Sequence, residues 1–265
     1  MIKLGALLAS SLFLSSANAD KPVLALVIDD LGYSYDQAVK VLNLPGQHTY
    51  AIIPDTTYSK KIAQLTAKNG QETILHMPMQ STTSIKIETS ALNENMTEVE
   101  ITSSVKNMIS EFPHIKGVNN HMGSRLTEMG YIMRPVMEAI KKFNHKLYFL
   151  DSRTTPLSKA YQQALKAGVN TLKRDIFLDY DHVNPESIAF QFKRWTEKAK
   201  ANGFAIAIAH PHQSSIDLLN KMIPESTDKF EFSPLSQIIK SQQKEKKAWS
   251  TYLSHLQKDL RSSKP

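Results

Sequence analysis

The sequence predicts an α/β protein whose parallel sheet is closed, or nearly closed, into a barrel with helices outside. Three observations carry this. Short apolar runs alternate along the chain with segments of helical spacing, the pattern of repeated β-α units. The runs are apolar throughout, as strands covered on both faces of a parallel sheet are. Reactive side chains recur directly after these runs, at the edge of an α/β sheet or barrel where ligands bind.

The organising run is Val23–Ile28, which ends abruptly in Asp29-Asp30-Leu31-Gly32. Neighbours on a strand point opposite ways, but the turn at its end can bring both carboxylates to one site. Two close anions need a proton or a cation between them. One reading puts one carboxylate on a metal and keeps the other as a base; the alternative is an N-capping Asp beside a solvated one. Tyr35–Leu42 is helical and stops before Pro45-Gly46. Tyr50–Ile53 is a strand ended by Pro54, and Ser59–Asn69 a helix stopped at Gly70. Glu72–Leu75 is a strand followed directly by His76. A polar, Ser/Thr-rich loop then runs from Gln80 to Asn95, long enough to cover a site.

Thr97-Glu98-Val99-Glu100 is a capping box opening a helix that ends near Glu111. Ile115–Val118 is a strand leading into Asn119-Asn120-His121-Met122-Gly123-Ser124. Tyr131–Phe143 is an amphipathic helix, and Leu147–Leu150 a strand ending at Asp151. Thr155-Pro156 carries the cap signature of a helix closing at Ala167-Gly168. Val169–Leu172 is a strand, and Asn184-Pro185 opens a long helix to Asn202-Gly203. Phe204–Ala209 is a strand ending in His210-Pro211-His212. Ser215–Met222 and the segment after Pro234 are helices. From Ser241 the chain is charged and polar, with Trp249, Tyr252, Leu253 and Leu256 on one narrow helical stripe; this tail reads as an appendage to the main domain.

Lys3, the apolar Leu4–Leu14 and Ala17-Asn18-Ala19 read as a secretory signal peptide cleaved after Ala19, with a core too short to span a bilayer. The division is therefore signal peptide 1–19, barrel domain 20–240 and polar tail 241–265, with the mature protein in the periplasm and without a transmembrane anchor. The chain has no cysteine, so disulfides and thiolate metal sites are excluded and a metal needs His and carboxylate ligands. The net charge of +7 suits anionic envelope polymers or lipid headgroups. No basic stripe with interleaved aromatics points to nucleic acid, and the sequence names no protein partner.

Asp29, Asp30, His76, His121, Asp151 and His210 all follow strands, which places them on one rim; His48, His114 and His145 precede strands and fall on the other. Asp30, His76 and His121 form a carboxylate-plus-two-imidazole set with an open position, the pattern of a catalytic zinc site. Asp29, free of the metal, is placed to take a proton from water, and His210 to protonate a leaving nitrogen. Asp151 is read as a partner that orients a histidine, with an Asp opening the Ser152-Arg153-Thr154 turn as the alternative. His212 is a further site histidine or a loop residue. Ser124 lacks a nucleophile elbow, and no P-loop, G-x-G-x-x-G or H-E-x-x-H is present. A glycosidase pair would require Asp151 as the partner of the Asp29-Asp30 group.

From Val23 to Pro224 these motifs, in this order, resemble the polysaccharide deacetylases, most closely a divergent branch exported by Gram-negative bacteria. Val27-Ile28-Asp29-Asp30-Leu31-Gly32 is similar to the family's first motif, with one Asp as base and the next as metal ligand. Thr49–Pro54 and Gly70–Gln80 are similar to its next segments, Asp151–Thr154 and Ala209–His212 to its later ones. One departure stands out: Gln80 occupies the place of a second metal histidine, and His121 is the substitute. The resemblance implies a distorted (β/α) barrel of the glycoside hydrolase/deacetylase type, a divalent metal (zinc as the expected ion), and metal-bound water attacking N-acetyl groups of an envelope glycan such as peptidoglycan. Asp29 is then the base and His210 the acid. The alternative is a catalytically altered barrel that serves as an envelope carbohydrate-binding or regulatory module.

Overall fold

A strand that opens on six apolar residues must be covered on both faces there, and β1 (Val23–Leu31) is. The computed structural model describes residues 21–83, 88–143 and 147–262, with side chains to 256. In it Leu24, Leu26 and Ile28 pack with the surrounding helices, while Ala25 and Val27 belong to a separate cluster inside the sheet's curve. The other strands are β2 (Thr49–Ile52), β3 (Glu72–Met79), β4 (Gly117–Met122), β5 (Tyr148–Asp151), β6 (Thr171–Lys173), β7 (Ile176–Phe177), β8 (Phe204–Ala209) and β9 (Glu231–Phe232). Helices α1 (Tyr35–Leu42), α2 (Ser59–Lys68), α3 (Glu98–Ser110), α4 (Gly130–Lys142), α5 (Ala160–Ala167), α6 (Pro185–Asn202), α7 (Gln213–Ser226) and α8 (Leu235–Ser262) complete the chain.

The strand order is β6-β5-β4-β3-β2-β1-β8-β7, with β9 also beside β1, and the pairings are parallel. β6 and β7 lie at opposite ends of this order, yet only Arg174 and Asp175 connect them. The sheet must therefore curl until its edges nearly meet. Arg174 N donates to Asp151 O of β5, near one edge, and Asp175 N to Ile206 O of β8, near the other, so the connection itself spans the seam. The result is the expected distorted (β/α) barrel.

One end of the barrel is plugged. Leu235, Ile238 and Ile239 of α8 belong to the interior cluster with Ala25, Ala51, Ile74 and Ile206. The helix start is held there by polar groups: Thr49 Oγ1 accepts from Leu235 N at 3.1 Å, and Glu72 accepts from Ser236 N at 3.2 Å and from the Tyr148 hydroxyl at 2.6 Å. A carboxylate at a helix N-terminus satisfies orphan N–H groups and complements the dipole. α8 continues unbroken past Lys240, and Trp249, Tyr252, Leu253 and Leu256 are exposed.

Several boundaries differ from those predicted. β3 continues to Met79 because β4 runs beside it up to the Met79–Met122 pairing, so His76 and His121 lie within strands. α5 begins at Ala160, not at Pro156, because Asp151 holds Ser158 Oγ and Tyr161 N while Ser158 accepts from Ala160 N. β7 and β9 have no counterpart in the sequence reading. The signal peptide and His145 fall outside the described residues. Among the described residues, no helix is long and apolar enough to cross a membrane.

His48 lies before β2, away from the strand-end rim, edge-on to Tyr50 and Phe232, with Nε2 donating to Pro45 O at 2.7 Å. Burial pushes it down from 6.5 to about 4, against the opposing pull of the Pro45 carbonyl. Between those values the unfolded chain binds a proton that the folded chain refuses. Stability is therefore full above pH 6.5 and falls as pH drops toward 4, by about 3 kcal/mol from this group. Urea midpoints measured across that range should fall more steeply for wild type than for His48→Gln, and parallel curves would refute this.

Candidate functional site

Alternation along each strand decides which side chains face the barrel interior. Ala25 and Val27 face in, and the next such position is Asp29. Ile74 leads in the same way to His76, Leu150 to Ser152, and Ile206 and Ile208 to His210. On β4, Val118 packs outward, so Asn119 and His121 face in. The polar cluster is thus the top layer of the barrel core. Asp30 has the wrong parity for this layer. The β1–β2 register shifts between Ile28 and Leu31, and Asp30 takes φ +58°, which turns it toward the same space. That local kink places two adjacent carboxylates at one site.

Three potential ligand atoms converge there. Asp30 Oδ1 lies 2.8 Å from His121 Nδ1 and 3.1 Å from His76 Nε2, and the two nitrogens are 3.2 Å apart. Ligands at tetrahedral zinc distances stand roughly 3.3 Å from one another, so this set has the chemistry and spacing of one face of such a shell. The tautomer of His76 agrees with this. Its Nδ1 donates to Asn119 Oδ1 at 2.7 Å, which leaves the Nε2 lone pair facing the cluster.

Asp29 sits behind this face, with Oδ2 3.6 Å from His76 Nε2 and Oδ1 accepting from Asn119 Nδ2 at 2.9 Å. Burial raises its pKa, outweighing the charges of His76 and His210. Asp30 is held well below the usual carboxylate range, because hydrogen bonds from His121 and His76 overcome its burial. Arg174, at the barrel seam, donates to Ser152 O at 2.6 Å and to Arg153 O at 2.8 Å, and its charge favours the ionised form of Asp29. These groups line a cavity of about 250 Å³ with Phe177 and Thr154. A larger hollow of about 680 Å³ at the α8 end is lined by no histidine, so volume does not locate this site.

His210 faces the cluster from β8, with Nε2 3.8 Å from Asp30 Oδ2. Its Nδ1 and main-chain N both donate to Asp179, at 3.0 and 2.6 Å. Burial disfavours the imidazolium, but the Asp179 hydrogen bond and the charges of Asp30, Asp179 and Asp29 outweigh it and raise the pKa to about 9. Asp179 also accepts from Ser215 Oγ at 2.7 Å.

Asp151 is not brought to the histidines. Its parity is outward, and its oxygens accept from Arg153 N at 2.9 Å and Ser158 Oγ at 2.8 Å, so it organises the β5–α5 connection. The partner expected of Asp151 is supplied by Asp179. Sequence reading missed it because the two-residue β7 was missed, although Ile176-Phe177-Leu178-Asp179 repeats the Tyr148-Phe149-Leu150-Asp151 pattern. His212 stacks on His182 at 4.0 Å, with its ring 6.0 Å from His210. Asp179, His210 and His212 are close enough to suggest a second cation site, but the Asp179 oxygens are already engaged by His210 and Ser215. Gln80 is not among the converging groups. Its Nε2 donates to Glu94 Oε1 at 3.0 Å and its Oε1 accepts from Glu94 N at 2.7 Å, while Arg125 holds Glu94 at 2.8 Å. This clasp pins the loop between β3 and α3.

Residues 26–239 match the family model described as divergent polysaccharide deacetylase. The uncharacterized protein YibQ of Escherichia coli (strain K12) is 36% identical over 200 residues, covering 76% of this chain and 62% of that protein. The chain therefore spans less than two thirds of that relative. An uncharacterized protein of Haemophilus influenzae (strain ATCC 51907 / DSM 11121 / KW20 / Rd) is 36% identical over 196 residues, 74% of this chain and 69% of its own. The crystal structure of uncharacterized protein ATU2773 from Agrobacterium tumefaciens C58 superposes with a TM-score of 0.77 at 22% identity, over 84% of this chain and 91% of that one. At that identity the likeness speaks to the fold.

Proposed function

Taking as premise that this chain belongs to the divergent polysaccharide deacetylase family, we propose that it is a divalent-metal-dependent hydrolase that removes N-acetyl groups from an envelope glycan. The observation that carries this is the convergence of Asp30, His76 and His121 between a buried carboxylate, Asp29, and a histidine–carboxylate pair, His210 with Asp179. Asp30, His76 and His121 would hold a divalent ion, zinc by preference of the donor set, which would supply Lewis acidity for water and for the amide carbonyl.

The remaining work belongs to side chains. Hydrolysis adds water across the amide C–N bond. One proton leaves the attacking water for Asp29, and one reaches the leaving nitrogen from His210, giving acetate and a free amine. Asp29 suits the first role because it is desolvated, held by Asn119, and lines the same cavity as Asp30, His76 and His121. His210 suits the second because its raised pKa keeps it protonated near neutrality. Asp179 fixes its tautomer, with Nδ1–H toward Asp179 and Nε2 toward the site. Gln80, the departure that favours an altered module, is engaged with the loop and empties no ligand position, which supports the catalytic reading.

The signal-peptide pattern at residues 1–19 supports a periplasmic location for this activity, and peptidoglycan or another envelope polymer is the substrate we propose. The test is acetate release from N-acetylated glycans by zinc-loaded protein. Release that a chelator abolishes and added zinc restores is the expected result. Glycan binding without acetate release by the fully loaded protein would replace the enzyme with a binding module.

A further inference from the structure

His121 turns Nδ1 toward Asp30 and His76, so its other nitrogen points away from the cluster, and Glu88 Oε1 lies 3.7 Å from Nε2. Glu88 belongs to the connection between β3 and α3, where a carboxylate ordinarily faces water. Here its side chain is 12% exposed, and Oε2 is buried without a hydrogen-bond partner. Tyr33, from the loop after β1, donates its hydroxyl to Oε1. Burying a carboxylate oxygen without a donor is costly, and such a group persists where something else gains from it. Tyr33 donates to this carboxylate and the His121 imidazole pairs with it.

We propose that Glu88 is a positioning residue of the metal site, holding the Nε2–H of His121 so that Nδ1 is fixed toward the cluster and strengthened as a donor to a divalent cation. The inference rests on reading Asp30, His76 and His121 as ligands. It gives His121 the kind of support that His76 receives from Asn119, with an anion in place of an amide. Closing the 3.7 Å contact to a hydrogen bond takes a movement of roughly 0.7 Å. The Gln80–Glu94–Arg125 clasp ties the same connection back to the end of β3 and the start of the segment after β4. The loop is thereby a structural part of the site: it delivers the carboxylate that completes His121.

The test compares Glu88→Ala and Glu88→Gln with wild type in the full mature chain. Zinc affinity is read by competition with a chelator, and the ligand field by the visible absorption of the Co²⁺-loaded proteins. Glu88→Ala should bind zinc about 10- to 100-fold more weakly and show an altered Co²⁺ spectrum. Glu88→Gln should lose less, since an amide oxygen still accepts the His121 proton without the charge. Metal-free melting temperatures report folding; if Glu88→Ala fails to fold, Glu88→Gln carries the comparison alone. Wild-type affinity and spectrum in both variants would overturn the role of Glu88 and leave the ligand set standing. Absence of zinc binding by wild type would overturn the ligand set, and this inference with it.

Discussion

His76→Ala is expected to purify without its metal and to release no acetate above background. His76 sits at the centre of the cluster: Nε2 faces Asp30 Oδ1 and His121 Nδ1, while Nδ1 is tied to Asn119, which also holds Asp29. Removing it deletes one of the three proposed ligands and frees Asn119, which also holds the proposed base Asp29. The loss of affinity should exceed the roughly 10- to 100-fold that losing a supporting partner costs. His121→Ala and Asp30→Asn should behave alike. Gln80→Ala should keep its metal, because Gln80 is engaged with Glu94 and is not among the converging groups. Elemental analysis of protein purified without added metal decides between them. Unchanged metal content in His76→Ala and His121→Ala would remove the site as drawn, and metal lost on Gln80→Ala alone would restore Gln80 as a ligand. Because His76 is buried, melting temperatures of the metal-free proteins must accompany the comparison.

Much of this site was legible in the sequence because its chemistry lies at the ends of apolar runs. Val23–Ile28 and Phe204–Ala209 announce their strands, and Asp29, Asp30 and His210 follow at once. What the runs hide is parity. A strand buried on both faces is apolar at every position, so nothing in Leu147–Leu150 tells whether Asp151 points in or out. The barrel puts it outside, against Ser158, and leaves its expected role to Asp179. Asp179 follows a strand of two residues, too short for periodicity to register. The kink that turns Asp30 inward is equally silent, because it comes from a register shift against β2 that no local propensity encodes. Gln80 shows the converse. Beside a known pattern it reads as a missing ligand, whereas its role depends on Glu94 and Arg125, which join it only when the loop closes.

Asp29→Asn and His210→Ala should separate proton transfer from metal binding: both are expected to keep full zinc content and to lose about 100- to 10,000-fold in turnover on an acetylated glycan. The isosteric Asn at position 29 still accepts the Asn119 hydrogen bond through its carbonyl oxygen, so the pocket survives while the base is gone. His210 is not one of the three converging groups, and its Nε2 lies 3.8 Å from Asp30 Oδ2, the oxygen not shared by His76 and His121. That position suits a group meeting the leaving nitrogen rather than the incoming water. Removing it leaves Asp179 bonded to the main-chain N of residue 210 and to Ser215, which limits the structural damage. Asp179→Asn then isolates the orienting effect: it should retain metal and lose less turnover than His210→Ala, because the imidazole remains but its cation is less favoured. Full turnover in Asp29→Asn would overturn the base assignment. Metal lost from His210→Ala would instead place that histidine among the ligands and move the acid elsewhere on the rim.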